Sequence, residues 1–188
     1  MSRLRSDAAR SRATILETAR AVPVADLRLN ELAREAGLGV GTVYRHFPTV
    51  ASLVEALNTD ALEQLVVLAH AASEIDDPGE AVATLVRDSV AVQLQHDGLQ
   101  ATLVATDVTP AVSTLRDELL TTANAVLERA VRSGAVSQKI TIGHVQRLVC
   151  GVEHAVRLGD GADRELLLDV MLAGLVSTGG DATAKARR

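Results

Sequence analysis

Apolar residues recur along almost the whole chain at three- and four-residue spacing, and stretches with the two-residue alternation of a half-buried strand are short. The pattern predicts an all-α protein. Ile15, Ala19 and Val22, at i, i+4 and i+7, define a first helix over about 7–21 that Pro23 closes. A second helix is expected over about 29–36, ending at Gly37, because glycine accepts a left-handed backbone at least cost. A short third helix follows over about 40–47. After Pro48, Thr49 suits the N-cap of a long fourth helix with Val50, Leu53, Leu57, Ala61, Leu65 and Leu68 on one face. At about 1.5 Å per residue this helix would run roughly 36 Å, a rod between two domains.

The clearest break is 73–79, which holds Glu74, Asp76, Asp77, Pro78 and Gly79. Beyond it, helices are expected over about 80–96, 99–107, 111–133, 142–158 and 162–177, with stops at Gly134 and at Gly159, Asp160 and Gly161. The expected organisation is an N-terminal three-helix domain over 1–48, a connecting helix over 49–73, a C-terminal helical domain over 74–178 and a flexible tail over 179–188.

In the segment RLNELAREAGLGVGTVYRHF, over 28–47, Ala33 and Gly37 supply the small residue and the turn glycine that a close helix crossing needs. Leu29, Leu32, Leu38, Val43 and Phe47 supply the apolar faces. The spacing is that of a helix-turn-helix, and an ordinary αα-hairpin would share it. The outer face of the third helix favours the first reading. Tyr44 and His46 can hydrogen-bond phosphates, Thr42 can reach a phosphate or a thymine methyl, and Arg45 suits a guanine edge. Each has a plainer rival: Tyr44 packed under the hinge, His46 in a local cap, Arg45 in solvent.

Composition sharpens this picture at few points. The chain's one Tyr and one Phe are Tyr44 and Phe47, so any pocket in the C-terminal part is lined by aliphatic and small polar groups. A net charge of −5 argues against a polyanion partner until its distribution is read. The first fifty residues carry eight arginines against five acids, net +3, leaving −8 to the rest. A basic head on an acidic body suits a modular DNA binder. With one cysteine, Cys150, no internal disulfide is expected, and no apolar run approaches the roughly 18 residues of a membrane span. The chain reads as cytoplasmic. No nucleophile with a base, Gly-rich phosphate loop or Cys-x-x-Cys appears, so an enzyme is not expected. Cys150 and His154 lie four apart without further ligands, and neither a metal nor a cofactor is expected.

VGTVYRHFP, preceded by LNELAREAG and followed by a long helix, resembles the TetR family of one-component bacterial regulators over about 12–57. The resemblance implies a first helix bracing the motif, a short recognition helix, and a helical C-terminal domain that pairs with its twin and holds an inducer. It implies DNA contacts from Arg28, Asn30, Val40, Gly41, Thr42, Tyr44, Arg45, His46 and, at the start of the fourth helix, Thr49. Four positions depart from the common pattern. Gly39 and Val40 stand where the family commonly has a Ser-Lys type pair, Val50 where it has a Lys, and Arg28 where it has a Thr. Phosphate affinity must then lean on Arg28, Arg45 and the arm residues Arg3, Arg5, Arg10 and Arg12.

The function expected is a sequence-specific DNA-binding regulator, a ligand-released repressor acting as a homodimer on a palindromic double-stranded operator. The competing reading is a helical small-molecule-binding protein with weak or lost DNA binding. Candidates for the dimer interface are Val145, Leu148, Val149, Val152, Val156, Leu167, Val170 and Leu175, with Gly151 and Gly174 allowing close approach. Candidates for contact with an unknown small-molecule inducer are Gln93, His96, Thr102, Thr106, Asp107, Arg147, Glu153 and His154.

Overall fold

The structure, a computed structural model, describes residues 2–177, with side chains over 7–175. The side chains of Arg3 and Arg5 and the tail 179–188 lie outside the described residues. Nine α-helices occupy the described chain: α1 (Ser2–Arg20), α2 (Leu29–Glu35), α3 (Val40–His46), α4 (Val50–Ser73), α5 (Pro78–Gln95), α6 (Leu99–Val104), α7 (Pro110–Ser133), α8 (Ile142–Leu158) and α9 (Arg164–Ser177). A single 3-10 turn, Val24–Asp26, follows Pro23. No strand occurs among the described residues, and none of their helices is long and apolar enough to cross a membrane.

α1 begins at Ser2, ahead of the expected start near 7, and α9 at Arg164, two residues after the expected start; two further boundaries differ for identifiable reasons. α5 starts at Pro78, not 80, because the Asp77 carboxylate accepts a hydrogen bond from the Glu80 amide at 2.7 Å and caps it. Proline then sits in the first turn, where its missing N–H costs nothing. α6 ends at Val104, three residues early. The chain turns extended at Ala105 (φ −60°, ψ 140°) and runs to Pro110, which disfavours helix in the residue before it.

The chain divides into two compact units, Met1–Asp60 with Asp97–Val112, and Ala61–His96 with Ser113–Arg188, so the division falls inside α4. The first unit is built on Ile15, Ala19, Leu27, Leu29, Leu32, Ala33, Val43, Phe47, Leu53 and Val54, all buried. Residues 97–112 belong to it through polar clips. Asn58 on α4 donates from Nδ2 to the Val54 and Asp97 carbonyls at 3.0 and 3.1 Å, and the Asp97 carboxylate accepts from the Val24 amide at 2.9 Å. Glu55, 8% exposed, accepts from the Thr109 amide at 3.0 Å and from its hydroxyl, so it caps the approach to α7.

Gly98 sits in this clip at φ +80°, and a Cβ there would meet Val54 Cγ1 at 2.7 Å and Val24 Cγ2 at 3.2 Å. Both the left-handed backbone and the lack of space require glycine. Gly98→Ala is expected to lower stability by about 2–4 kcal/mol, from strain and overpacking. Calorimetry should show Tm lower by roughly 5–15 °C. A Tm within a degree of wild type would refute the close approach.

In the second unit α8 packs between α5 and α9. Its core includes Leu65, Val86, Val90, Val126, Val149, Val156, Leu168 and Leu175. Arg129 on α7 donates to the Ser73 and Ile75 carbonyls at 2.9 and 2.6 Å, satisfying the carbonyl end of α4. Arg157 on α8 does the same for α5 at the Gln93 carbonyl, 2.7 Å away, while pairing with Glu153. Arg87 on α5 pairs with Asp169 on α9 at 2.7 Å.

Candidate nucleic-acid interface

The local sequence of 28–50 fixes how α3 is presented. α2 ends in a Schellman turn: the Leu38 amide donates to the Ala33 carbonyl at 2.9 Å and the Gly37 amide to Arg34 at 3.2 Å, with Gly37 at φ +65°. Leu38 then packs on the core that holds Ala33, which is fully buried. α3 is anchored from behind by Val43, fully buried, and by Phe47, 2% exposed. The Arg12 guanidinium lies 5.2 Å from the Phe47 ring centroid, a cation–π contact that braces α3 from α1.

The opposite side of α3 faces outward. Val40, Gly41, Tyr44 and Arg45 are exposed, and Thr42 and His46 half-buried. Among the described residues Arg45 makes no hydrogen bond or ion pair, leaving its donors available. At the following turn Thr49 and Ser52 cap α4 reciprocally: the Thr49 hydroxyl accepts from the Ser52 amide at 3.0 Å, and the Ser52 hydroxyl accepts from the Thr49 amide at 3.2 Å. The Thr49 side chain is thereby committed to the cap. Arg28 folds back, its Nη1 donating to the Ala25 and Leu27 carbonyls at 3.1 and 2.9 Å. Arg28, Leu29, Asn30, Tyr44, Pro48, Thr49 and Val50 line an open notch of about 330 Å³ beside α3. Of the candidate DNA contacts, Arg28, Asn30, Tyr44 and Thr49 thus share one notch, Val40, Gly41 and Arg45 stand exposed on α3 outside its lining, and Thr42 and His46 are half-buried.

The other candidates are dispersed. Of those considered for ligand contact, Thr102, Thr106 and Asp107 lie in the first unit, and Gln93, His96, Arg147, Glu153 and His154 in the second. Thr106, Asp107, Arg147 and His154 are exposed, and His96 is half-buried at the end of α5. Thr102 is buried and donates to its own helix at Gly98. Glu153 is buried and held by Arg157. Gln93 differs: it is 4% exposed, and its side-chain oxygen is buried with no partner among the described residues.

The interface candidates divide by helix face. Val145, Val149, Val156 and Leu175 are buried within the protomer, Val152 and Leu167 half-buried, and Leu148 and Val170 exposed. Of nine large apolar side chains that stand exposed among the described residues, two are on α3, and Leu148, Leu158, Leu166 and Val170 are on α8 and α9. On α8 Leu148, Gly151, Ala155 and Leu158 share one stripe, and on α9 Leu166, Val170 and Gly174 share another. Around Gly151 and Gly174 nothing would touch an added Cβ. Leu166 belongs to the apolar faces that the sequence offers for pairing, whereas Leu158, 77% exposed, is not among the expected residues, because periodicity alone does not say which face turns outward. Cys150 is a free, half-buried thiol. No group of three or more potential metal ligands occurs among the described residues.

Comparison with known proteins bears on both units. A family model described as bacterial regulatory proteins, tetR family, matches residues 14–57, and one described as the C-terminal domain of SbtR-like transcriptional regulators matches residues 77–177. Among solved structures, a TetR transcription regulatory protein from Mycobacterium vanbaalenii is 32% identical over 92% of this chain and 99% of its own, with a TM-score of 0.49. A TetR transcriptional regulator from Streptomyces coelicolor is 28% identical over 88% of this chain and 98% of its own, with a TM-score of 0.51. AibR, in complex with isovaleryl coenzyme A and operator DNA, is 15% identical over 88% and 98%, with a TM-score of 0.63. No curated protein matches the chain.

Proposed function

This chain belongs to the TetR family of bacterial transcriptional regulators, and we propose that it is a ligand-released repressor that binds a near-palindromic operator as a homodimer. The observation that carries the reading is the outward arc of α3, an exposed Tyr44 and an unpaired, exposed Arg45 on a helix anchored from behind by Val43. Arg45 reads a guanine edge; Tyr44, Asn30 and Arg28 around the notch, with the first-turn amides of α4, hold phosphates. AibR, of the same fold, is known on operator DNA. One seven-residue helix reads too few base pairs for useful specificity, so two copies must stand about 34 Å apart, one helical turn of DNA. The exposed stripes of α8 and α9 support pairing there.

The division of labour is a DNA-binding head over 1–48, a connecting helix over 49–73 and a sensing and pairing domain over 74–178, acting in the cytoplasm. Gln93 marks the inducer site. A buried acceptor left unpaired costs about 1–3 kcal/mol, which a donor on a bound molecule recovers. Such a ligand acts by preferring the conformation unfit for DNA, and about 3 kcal/mol of preference weakens operator binding roughly 150-fold.

Binding to a panel of single-base operator variants separates the two kinds of contact. Arg45→Ala is expected to cost about 1–3 kcal/mol and to relax the preference at one base pair per half-site, whereas Tyr44→Ala weakens all sequences alike. Uniform losses for both would reject Arg45 as the base reader.

A further inference from the structure

Along α3 successive side chains turn by about 100°. Val40, Tyr44, Gly41 and Arg45 therefore follow one another across an exposed arc of about 140°, and the buried Val43 lies about 60° beyond the Val40 edge. Tyr44 belongs to the notch shared with Arg28 and Asn30, whose donors suit phosphate oxygens, and Val40 stands outside that lining. Val40 is 46% exposed, an aliphatic side chain that the protomer's core leaves in solvent. Its neighbours leave it unobstructed: a Cβ at Gly41 would meet nothing within 4 Å, and one at Gly39 would meet the Thr42 hydroxyl at 3.8 Å.

We infer that Val40 is a specificity-determining residue that reads the 5-methyl group of a thymine in the major groove. The inference rests on the operator-binding reading above. An aliphatic group pressed against base edges gains from an apolar partner, and the thymine methyl is the apolar group that the major-groove edges display. Set against guanine O6 or cytosine N4, Val40 would strip water from a polar group and return no hydrogen bond. The side chain thus selects an A·T pair beneath it, while Arg45, at the other edge of the arc, takes a guanine.

The test uses the full chain and an operator duplex recovered from genomic DNA, with each dT replaced in turn by dU, which removes the methyl and nothing else. One position per half-site is expected to lose affinity roughly fourfold, the ratio that burying one methyl group corresponds to, and the two together roughly sixteenfold. In Val40→Ala the dT and dU duplexes should bind alike, with Tm unchanged because the site is exposed. Insensitivity to dU at every position, or a dU penalty that persists in Val40→Ala, overturns the inference and leaves operator binding standing. Failure to bind any duplex overturns both.

Discussion

Glutamate at both Leu166 and Val170 is expected to leave the protomer folded, make it monomeric and weaken operator binding about a thousandfold. The two side chains are 62% and 65% exposed, so the changes remove little from the protomer's own core. They lie four residues apart on α9, which packs against α8, a helix that also leaves Leu148 and Leu158 exposed. Across a two-fold axis the same patch meets itself, so each substitution is felt twice and places carboxylates against apolar surface and against each other. A monomer keeps its phosphate contacts and one recognition helix but loses the second half-site. The gap between specific and non-specific binding, at least about a thousandfold, is what is forfeited. Sedimentation equilibrium with fluorescence anisotropy on operator DNA checks both parts. A variant that stays dimeric with unchanged affinity would reject this face as the interface.

Glu55→Ala is expected to destabilise the protein by about 2–4 kcal/mol, a large effect for one side chain on α4. The carboxylate is almost wholly buried and accepts from both the amide and the hydroxyl of Thr109. Removing it takes the acceptor from both the amide and the hydroxyl of Thr109, the residue that leads into α7, and leaves a void where the buried carboxylate stood. Glu55→Gln keeps one acceptor oxygen and should cost less, about 1 kcal/mol. Because the effect belongs to a contact, Glu55→Ala and Thr109→Val should be non-additive, with a coupling of at least about 1 kcal/mol in denaturant unfolding. Additive losses would show that Thr109 does not depend on Glu55. Residues 97–112 thus lie outside the helix-turn-helix in sequence yet belong to its compact unit.

The helices were legible because their apolar residues keep the 3.6-residue period long enough to be recognised. α8, expected over 142–158, is Ile142–Leu158, and Gly37 announces the turn by residue type alone. The 3-10 turn at Val24–Asp26 was not legible, since three residues carry no period. The start of α5 was misread because Pro78 has two meanings, breaker and first-turn residue, and Asp77 decides between them through a bond to Glu80. Glu55 and Asn58 fall beside apolar positions of α4 and look like solvated exceptions. Their partners, Thr109 and Asp97, are far along the chain, and nothing local announces them. For Glu153 the sign was local: Arg157 stands one helical turn on and engages it. On α8 and α9, periodicity separates two apolar faces without saying which turns inward, so Val145 and Val149, both core residues, could be told from Leu148 and Leu158 by packing alone.

The most direct test of the central claim is capture of fragmented genomic DNA by the purified protein, run beside the Tyr44→Ala, Arg45→Ala double variant. The wild type should recover a near-palindromic site, with half-sites one helical turn apart, and the double variant none. No enrichment by the wild type, or equal enrichment by both, would contradict it and favour a helical small-molecule-binding protein that no longer reads DNA.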